Sequence, residues 1–200
     1  MNAIEKATII QYHRQQIQKE KDDALKVGWS GKEAQQKRFE VLCGISDLNN
    51  KVIMDVGCGL GDLKKFIDRK YKNVVYLGID HVPEFIEGAN KRLVTSKFSY
   101  FKVADFTTDG LPDVDYALVS GAFNYQTTNL LFPFNVIEKL YRLVKQGVAF
   151  NLLDRDAFAP NDLLKSYNRY EVYGFCQRLA KRAELVTGYL PDDFTIMMYK

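Results

Sequence analysis

The sequence predicts an α/β fold: a Rossmann-like, largely parallel sheet with helices on both faces, closed by an antiparallel C-terminal strand. Three observations predict it. From residue 51 onward, short apolar runs alternate with amphipathic stretches, the pattern of strand–helix–strand units around a parallel sheet. Pro83 and Pro133 each open an amphipathic stretch, at the first helical position where a missing N–H does no harm. The last two β-rich runs, "AELVTGY" and "FTIMMYK", are joined only by "LPDD". That is too short for a helix, and Pro191–Asp192 supplies turn chemistry, so the two form an antiparallel hairpin.

The elements follow in order. A chain of 200 residues suits one domain with a sizeable core. Residues 1–30 are read as a helical lid segment and residues 31–200 as the compact domain. Residues 4–26 are rich in Gln and Lys, with Ile4, Ile10 and Ile17 as sparse apolar points, which suits a solvated helix on the surface. His13 on that helix reads as a surface histidine. Ser30 and Glu33 form a capping box that starts a new helix, with the only tryptophan, Trp29, at its entry. "KVIMDV" is a buried strand ending at Gly57, and "LKKFIDRKY" sets Leu63, Phe66 and Ile67 on one helical face. "VVYLGID" (74–80) is the second strand. The next helix places Val82, Phe85, Ile86, Ala89 and Leu93 at helical spacing. Residues 98–105 and 115–121 are strands three and four. A helix from Pro133 stops near Gly147, and residues 147–154 form strand five.

Composition narrows the function. The chain is 46% hydrophobic and 26% charged, ordinary for a globular domain. Its net charge of +3 is too mild for a nucleic-acid footprint, so no nucleic-acid partner is expected. Cys43, Cys58 and Cys176 are odd in number and lack CxxC spacing. That speaks against a disulfide framework or a cysteine-rich zinc site, for a reducing compartment, and for no metal. No apolar run approaches ~18 residues, and the N-terminus lacks a signal-peptide core. A cytoplasmic protein without a membrane partner is expected; the oligomeric state is left open.

"DVGCGLGD", residues 55–62, carries the chemistry. A glycine-rich turn between strand and helix lets a ligand approach the backbone. Gly57, Gly59 and Gly61 read G-x-G-x-G, and Asp62 stands where a dinucleotide site has its third glycine. With Asp55 in front, the loop carries two carboxylates, which would repel a pyrophosphate in a site meant for anions. A nicotinamide oxidoreductase is therefore disfavoured. A ligand with an ammonium group and no phosphate fits, and S-adenosylmethionine is such a ligand. Asp80 ends the second strand, 19 residues after Gly61, where an acid can accept from a ribose diol. Asp105 ends the third, within reach of an adenine amino group, with Phe106 adjacent for ring contact.

On these residues the chain resembles a class I S-adenosylmethionine-dependent methyltransferase over about residues 28–200. "DVGCGLGD" is similar to the family's first motif, "GIDHVPEFIEGA" to the second, "VADF" to the third and "DVDYALVSGAFNY" to the fourth. More narrowly, the sequence resembles small bacterial members of mostly unassigned substrate. The resemblance implies a seven-stranded sheet of order 3-2-1-4-5-7-6, with strand seven antiparallel. It implies that Gly57, Cys58, Gly59 and Gly61 wrap the methionine portion while Asp55 holds its amino group. Asp80 takes the ribose hydroxyls, His81 and Val82 flank the adenine, and Asp105 and Phe106 recognise its edge. Ser120 and Gly121 lie where the methyl group is presented. Arg38 either meets the cofactor carboxylate or is a surface charge.

The implied activity is methyl transfer to a small-molecule acceptor, an oxygen or nitrogen nucleophile or a carboxylate. Displacement at a sulfonium releases a neutral leaving group, so alignment and exclusion of water are the main tasks, and alignment is worth ~7–11 kcal/mol in well-oriented systems. No catalytic residue is named. Trp29, Phe123, Asn124, Tyr125, Arg155 and Tyr167 are the candidate substrate contacts; the interleaved Arg and Tyr residues after strand five suit a small acid with an apolar body. The other class of reading is a non-catalytic S-adenosylmethionine-binding protein or partner subunit.

Overall fold

The computed structural model describes residues 1–28 and 31–200. Three helices come first: α1 (Ala3–Lys19), α2 (Asp23–Lys26) and α3 (Lys32–Cys43). Strands and helices then alternate through β1 (Val52–Val56), α4 (Asp62–Lys70), β2 (Val75–Asp80), α5 (Pro83–Arg92) and β3 (Ser99–Val103). β4 (Val114–Val119), α6 (Phe132–Leu143) and β5 (Val144–Leu153) follow, then α7 (Arg169–Leu179), β6 (Arg182–Val186) and β7 (Asp193–Tyr199). The described strands make one seven-stranded sheet of order β3-β2-β1-β4-β5-β7-β6. β7 runs antiparallel to β6, as the short connection between them requires, and also antiparallel to β5.

Alternation along the strands builds two cores. Met54 and Val56 of β1 and Phe194, Ile196 and Met198 of β7 join one cluster with α6 and α7. Ile53 and Met197 point the other way, into a cluster with Phe39 and Leu42 of α3 and Leu63 and Ile67 of α4. This is the two-residue period of a sheet covered on both sides.

Strands three and four are shorter than the sequence reading, at Ser99–Val103 and Val114–Val119, and two helix boundaries differ as well. The helix after β4 ends at Leu143, not near Gly147. Val144, β-branched and 3% exposed, already has extended backbone (φ −85°, ψ 147°) and starts β5 directly. A register shift between Val114 and Tyr116 absorbs the extra strand residues. α3 begins at Lys32 behind Gly31, which makes no side-chain cap; the expected capping residue Ser30, and Trp29 with it, lie outside the described residues.

The N-terminal segment departs further. α1 is not a fully solvated helix: Ile9 and His13 are each only 3% exposed, whereas Ile4 is 79% exposed. Ile10, Ile17 and Val27 pack on Leu60, Val82 and Phe85 in a small third cluster. Asn2 and Glu5 form a complete capping box at its start.

Candidate active site

The carboxyl ends of β1, β2 and β4 turn toward α1 and enclose a cavity between them. This is the edge at which open α/β sheets hold ligands. One wall is the loop after β1, where Asp55, Gly57, Cys58 and Gly59 all face the cavity. Gly57 and Gly59 have positive φ, 75° and 52°, a region that glycine enters without strain. A Cβ on Gly57 would lie 2.5 Å from that of Ala122, and one on Gly59 would lie 2.9 Å from Val27 Cγ1. The loop therefore has to be bare both to fold against β4 and to leave room for the N-terminal segment. Gly61 is turned elsewhere: a Cβ there would meet Leu93 and Phe101.

The acids of the site do different work. Asp80 Oδ2 accepts from the Gly59 amide and Oδ1 from the Val82 amide, both at 2.9 Å. The same carboxylate that faces the cavity thus fixes the glycine loop, with lone pairs remaining for a diol. Asp55 is buried and accepts a hydrogen bond from the Tyr76 hydroxyl. Burial pushes its carboxyl up to about 7; the Tyr76 hydrogen bond opposes this, and the nearby charges of Asp80 and Asp62 add to it. An ammonium group beside it would draw it back to the charged form. Ser120 Oγ, His81 Nε2 and Asp62 Oδ2 are buried at the cavity wall with no hydrogen-bond partner among the described residues. Polar groups left over in this way fit a polar ligand such as a nucleoside with an amino-acid head. When bound, S-adenosylmethionine supplies an activated methyl group; the chain's task is to orient it and keep water away.

Asp105 is placed differently from the sequence expectation. Its carboxylate accepts from Lys6 Nζ on α1 and from the Thr107 amide and hydroxyl, and it does not line the cavity. Although burial favours its neutral form, these hydrogen bonds hold the carboxyl well below the usual range. Its neighbour Phe106 does line the cavity, as do His81, Val82, Ser120 and Gly121. Arg38 is not a surface charge. It is 4% exposed, faces the cavity, and is ion-paired with buried Asp193 of β7. Burial pushes the Asp193 carboxyl up to about 6, against the pull of Arg38.

Of the candidate substrate contacts, Asn124 and Tyr125 line the cavity. Asn124 Oδ1 also accepts from the Leu153 amide at 3.0 Å, tying the loop after β4 to the end of β5. Phe123, Arg155 and Tyr167 are not part of the lining. Phe123 is fully buried among Phe106, Phe132 and Phe150. The Tyr167 hydroxyl donates to the Phe123 carbonyl at 2.7 Å. Arg155 is half-exposed and 4.0 Å from Glu171, and Arg169 pairs with Asp154 and Asp156. The segment after β5 instead contributes Phe158 and Leu164, which join Leu153 as apolar side chains of the lining.

Sequence reasoning missed the roof. α1 supplies Ile9 and His13 to the cavity, and α3 supplies Gln35. The signal was present: Ile9, His13 and Ile17 recur every four residues, one helical face, whereas the exposed Ile4 obscures it. Polar contacts hold the helix down. Glu5 accepts from the Thr128 amide and hydroxyl at 2.7 and 2.8 Å and from the Thr127 hydroxyl at 3.1 Å. Burial works against its charge, yet these bonds and the Asn2 amide hold its carboxyl down to about 2. Lys6 pairs with Asp105, and Arg14 with Glu84 at 2.6 Å.

Comparison with known proteins agrees with this geometry. Residues 53–147 match the sequence family described as methyltransferase domain. The chain is 29% identical over 158 residues to Rv1506c of Mycobacterium tuberculosis, itself provisionally assigned as a methyltransferase; the match covers 74% of this chain and 92% of that one. Among solved structures, magnesium protoporphyrin IX methyltransferase of Synechocystis with bound S-adenosylmethionine superimposes with a TM-score of 0.73 at 13% identity, over 100% of both chains. An S-adenosylmethionine-dependent methyltransferase from Aquifex aeolicus gives 0.66 at 19% identity, over 90% of this chain and 99% of that one. Fold and strand order are those of the class I methyltransferases. The methyltransferase-domain match over residues 53–147 and the fold point the same way. Among the described residues, no helix is long and apolar enough to cross a membrane.

Proposed function

We propose that this protein transfers a methyl group from S-adenosylmethionine to a small-molecule acceptor held beneath α1. One observation carries the reading: a single cavity is lined by Asp55, Gly57, Gly59 and Asp80 and also by the apolar side chains of Leu153, Phe158 and Leu164. A cofactor with an amino-acid head and a ribose suits the first set, and an acceptor with an apolar body suits the second. α1 covers the site through Ile9 and His13, and positioning supplies most of what a sulfonium displacement needs. The expectation of an acidic acceptor loses support, because Arg155 and Arg169 face acids of their own.

The test is incubation of the pure chain with methyl-labelled S-adenosylmethionine and fractionated bacterial metabolites. Label is expected in a molecule small enough to fit the enclosed cavity. Tight S-adenosylmethionine binding without label transfer to any fraction would favour the non-catalytic reading.

A further inference from the structure

His13 and Tyr125 meet at the cavity wall from segments 112 residues apart, with His13 Nε2 and Tyr125 Oη separated by 2.5 Å. On the other side of the ring, Nδ1 lies 3.3 Å from the Lys26 carbonyl oxygen. A carbonyl oxygen only accepts, so Nδ1 carries the ring proton and Nε2 presents its lone pair. The Tyr125 hydroxyl therefore donates to Nε2, and the phenolic oxygen keeps lone pairs for a third partner. Edge contacts with Phe85 at 4.9 Å and Tyr12 at 5.1 Å fix the imidazole plane. The pair also sits close to the cofactor loop. A Cβ on Gly28 would lie 3.6 Å from the His13 ring and 3.9 Å from the Tyr125 hydroxyl, and the adjacent Val27 faces Gly59.

We propose that Tyr125 and His13 form a proton relay that activates a neutral, phenol-like hydroxyl acceptor. The inference rests on the methyl transfer proposed above. The acceptor O–H bond breaks and its proton goes to Tyr125 Oη. The Tyr125 O–H bond breaks in turn and its proton goes to His13 Nε2, leaving an imidazolium. The acceptor oxygen keeps the electron pair and uses it for the new O–CH3 bond, while the pair of the broken C–S bond stays on sulfur.

The chemistry narrows the acceptor. A carboxylate is already ionised at neutral pH and needs no base, whereas a hydroxyl does; an alkyl amine is a cation at neutral pH and does not suit a relay whose acceptor enters neutral. The apolar side chains of Leu153, Phe158 and Leu164 in the lining suit the body of a phenol-like molecule. Burial, the largest influence, holds His13 below the ordinary histidine range; the Lys26 carbonyl and the Asp80 charge oppose this, and His81 reinforces it. The ring is thus kept in its neutral, proton-accepting form.

The experiment measures S-adenosylhomocysteine release from S-adenosylmethionine with a phenol series from 4-methoxyphenol to 4-nitrophenol. It compares the full chain with His13→Gln and Tyr125→Phe. With weakly acidic phenols both variants lose about 10²–10⁴-fold, whereas with 4-nitrophenol, largely ionised at about pH 8, the loss shrinks below about tenfold. The rising limb of the wild-type pH profile with 4-methoxyphenol is absent in His13→Gln. Calorimetry with S-adenosylhomocysteine gives the same affinity for all three proteins. Equal losses across the series would reduce the pair to packing and overturn the relay, and turnover of no phenol by a chain that binds S-adenosylhomocysteine would overturn the acceptor class. A chain that binds no S-adenosylhomocysteine would instead sink the methyltransferase reading beneath it. Independently of turnover, nitrogen-15 spectra of the wild-type ring are expected to show the Nδ1–H tautomer; the Nε2–H tautomer would contradict the relay.

Discussion

The Gly59 amide donates a 2.9 Å hydrogen bond to Asp80 Oδ2, so the acid that ends β2 holds the glycine loop that follows β1. Asp80→Ala therefore does more than remove a ribose contact. It also leaves the Gly59 and Val82 amides without their acceptor, at about 1–3 kcal/mol for each buried donor. Calorimetry is expected to show a loss of S-adenosylhomocysteine affinity of roughly 30- to 1000-fold, with a lower melting temperature. Asp80→Asn, which keeps one acceptor oxygen, should fall between. Unchanged affinity in Asp80→Ala would remove Asp80 from the site.

Asp55 makes binding depend on pH. Its carboxyl is raised from 3.8 to about 7, so the stability it contributes is fully present below pH 3.8 and is lost as the pH rises through about 7. Binding of an ammonium group runs the other way, because it requires the carboxylate. S-adenosylmethionine affinity should rise about tenfold between pH 6 and pH 8, with proton release on binding at the lower pH. Asp55→Asn should bind weakly at every pH and show no such slope. A slope that survives in this variant would assign the titration to another group.

Gly57 and Gly59 separate folding from binding. An alanine at either pays the left-handed backbone penalty of about 1–2 kcal/mol. At Gly57 the new methyl also strikes Ala122, whereas at Gly59 it strikes Val27 of the N-terminal segment. Gly57→Ala should melt several degrees lower than Gly59→Ala. Gly59→Ala should instead speed amide exchange around residues 24–28.

The strand–helix alternation and the closing antiparallel hairpin were legible in the sequence because both follow from local patterning: apolar runs, proline-started helices and a turn too short for a helix. The strand order was legible only through the family resemblance, because local patterning does not say which strands are neighbours. The glycine loop with Asp55 and Asp80 was legible because strand ends fix where those residues lie. Tertiary partners were not. Tyr167 carries an aromatic ring in a polar segment, yet its hydroxyl turns inward to the Phe123 carbonyl. Asp105 lies two residues beyond the end of β3, and Lys6, 99 residues away, pairs with its charge. His13 had the look of a surface residue because the polarity of α1 belongs to its outer face.

The N-terminal segment is proposed to be a lid over a domain that stands without it. The two main cores take only Met1 from residues 1–26, and that only as a partly buried neighbour. A chain beginning at Val27 should stay folded, melt a few degrees lower through exposure of Leu60, Val82 and Phe85, bind S-adenosylhomocysteine more weakly and lose methyl transfer. Aggregation of the shortened chain would make α1 part of the core, and full activity would leave it without a role.

One cavity, bounded by the β1 loop, the end of β2 and α1, is proposed to hold the methyl donor. A crystal structure of the full chain with S-adenosylhomocysteine is the decisive measurement. The ribose hydroxyls are expected on Asp80, the amino group beside Asp55, the purine against Val82 and Phe106, and the sulfur facing the Tyr125 side of the cavity. A ligand seated outside this cavity, or one whose ribose lies away from Asp80, would contradict it.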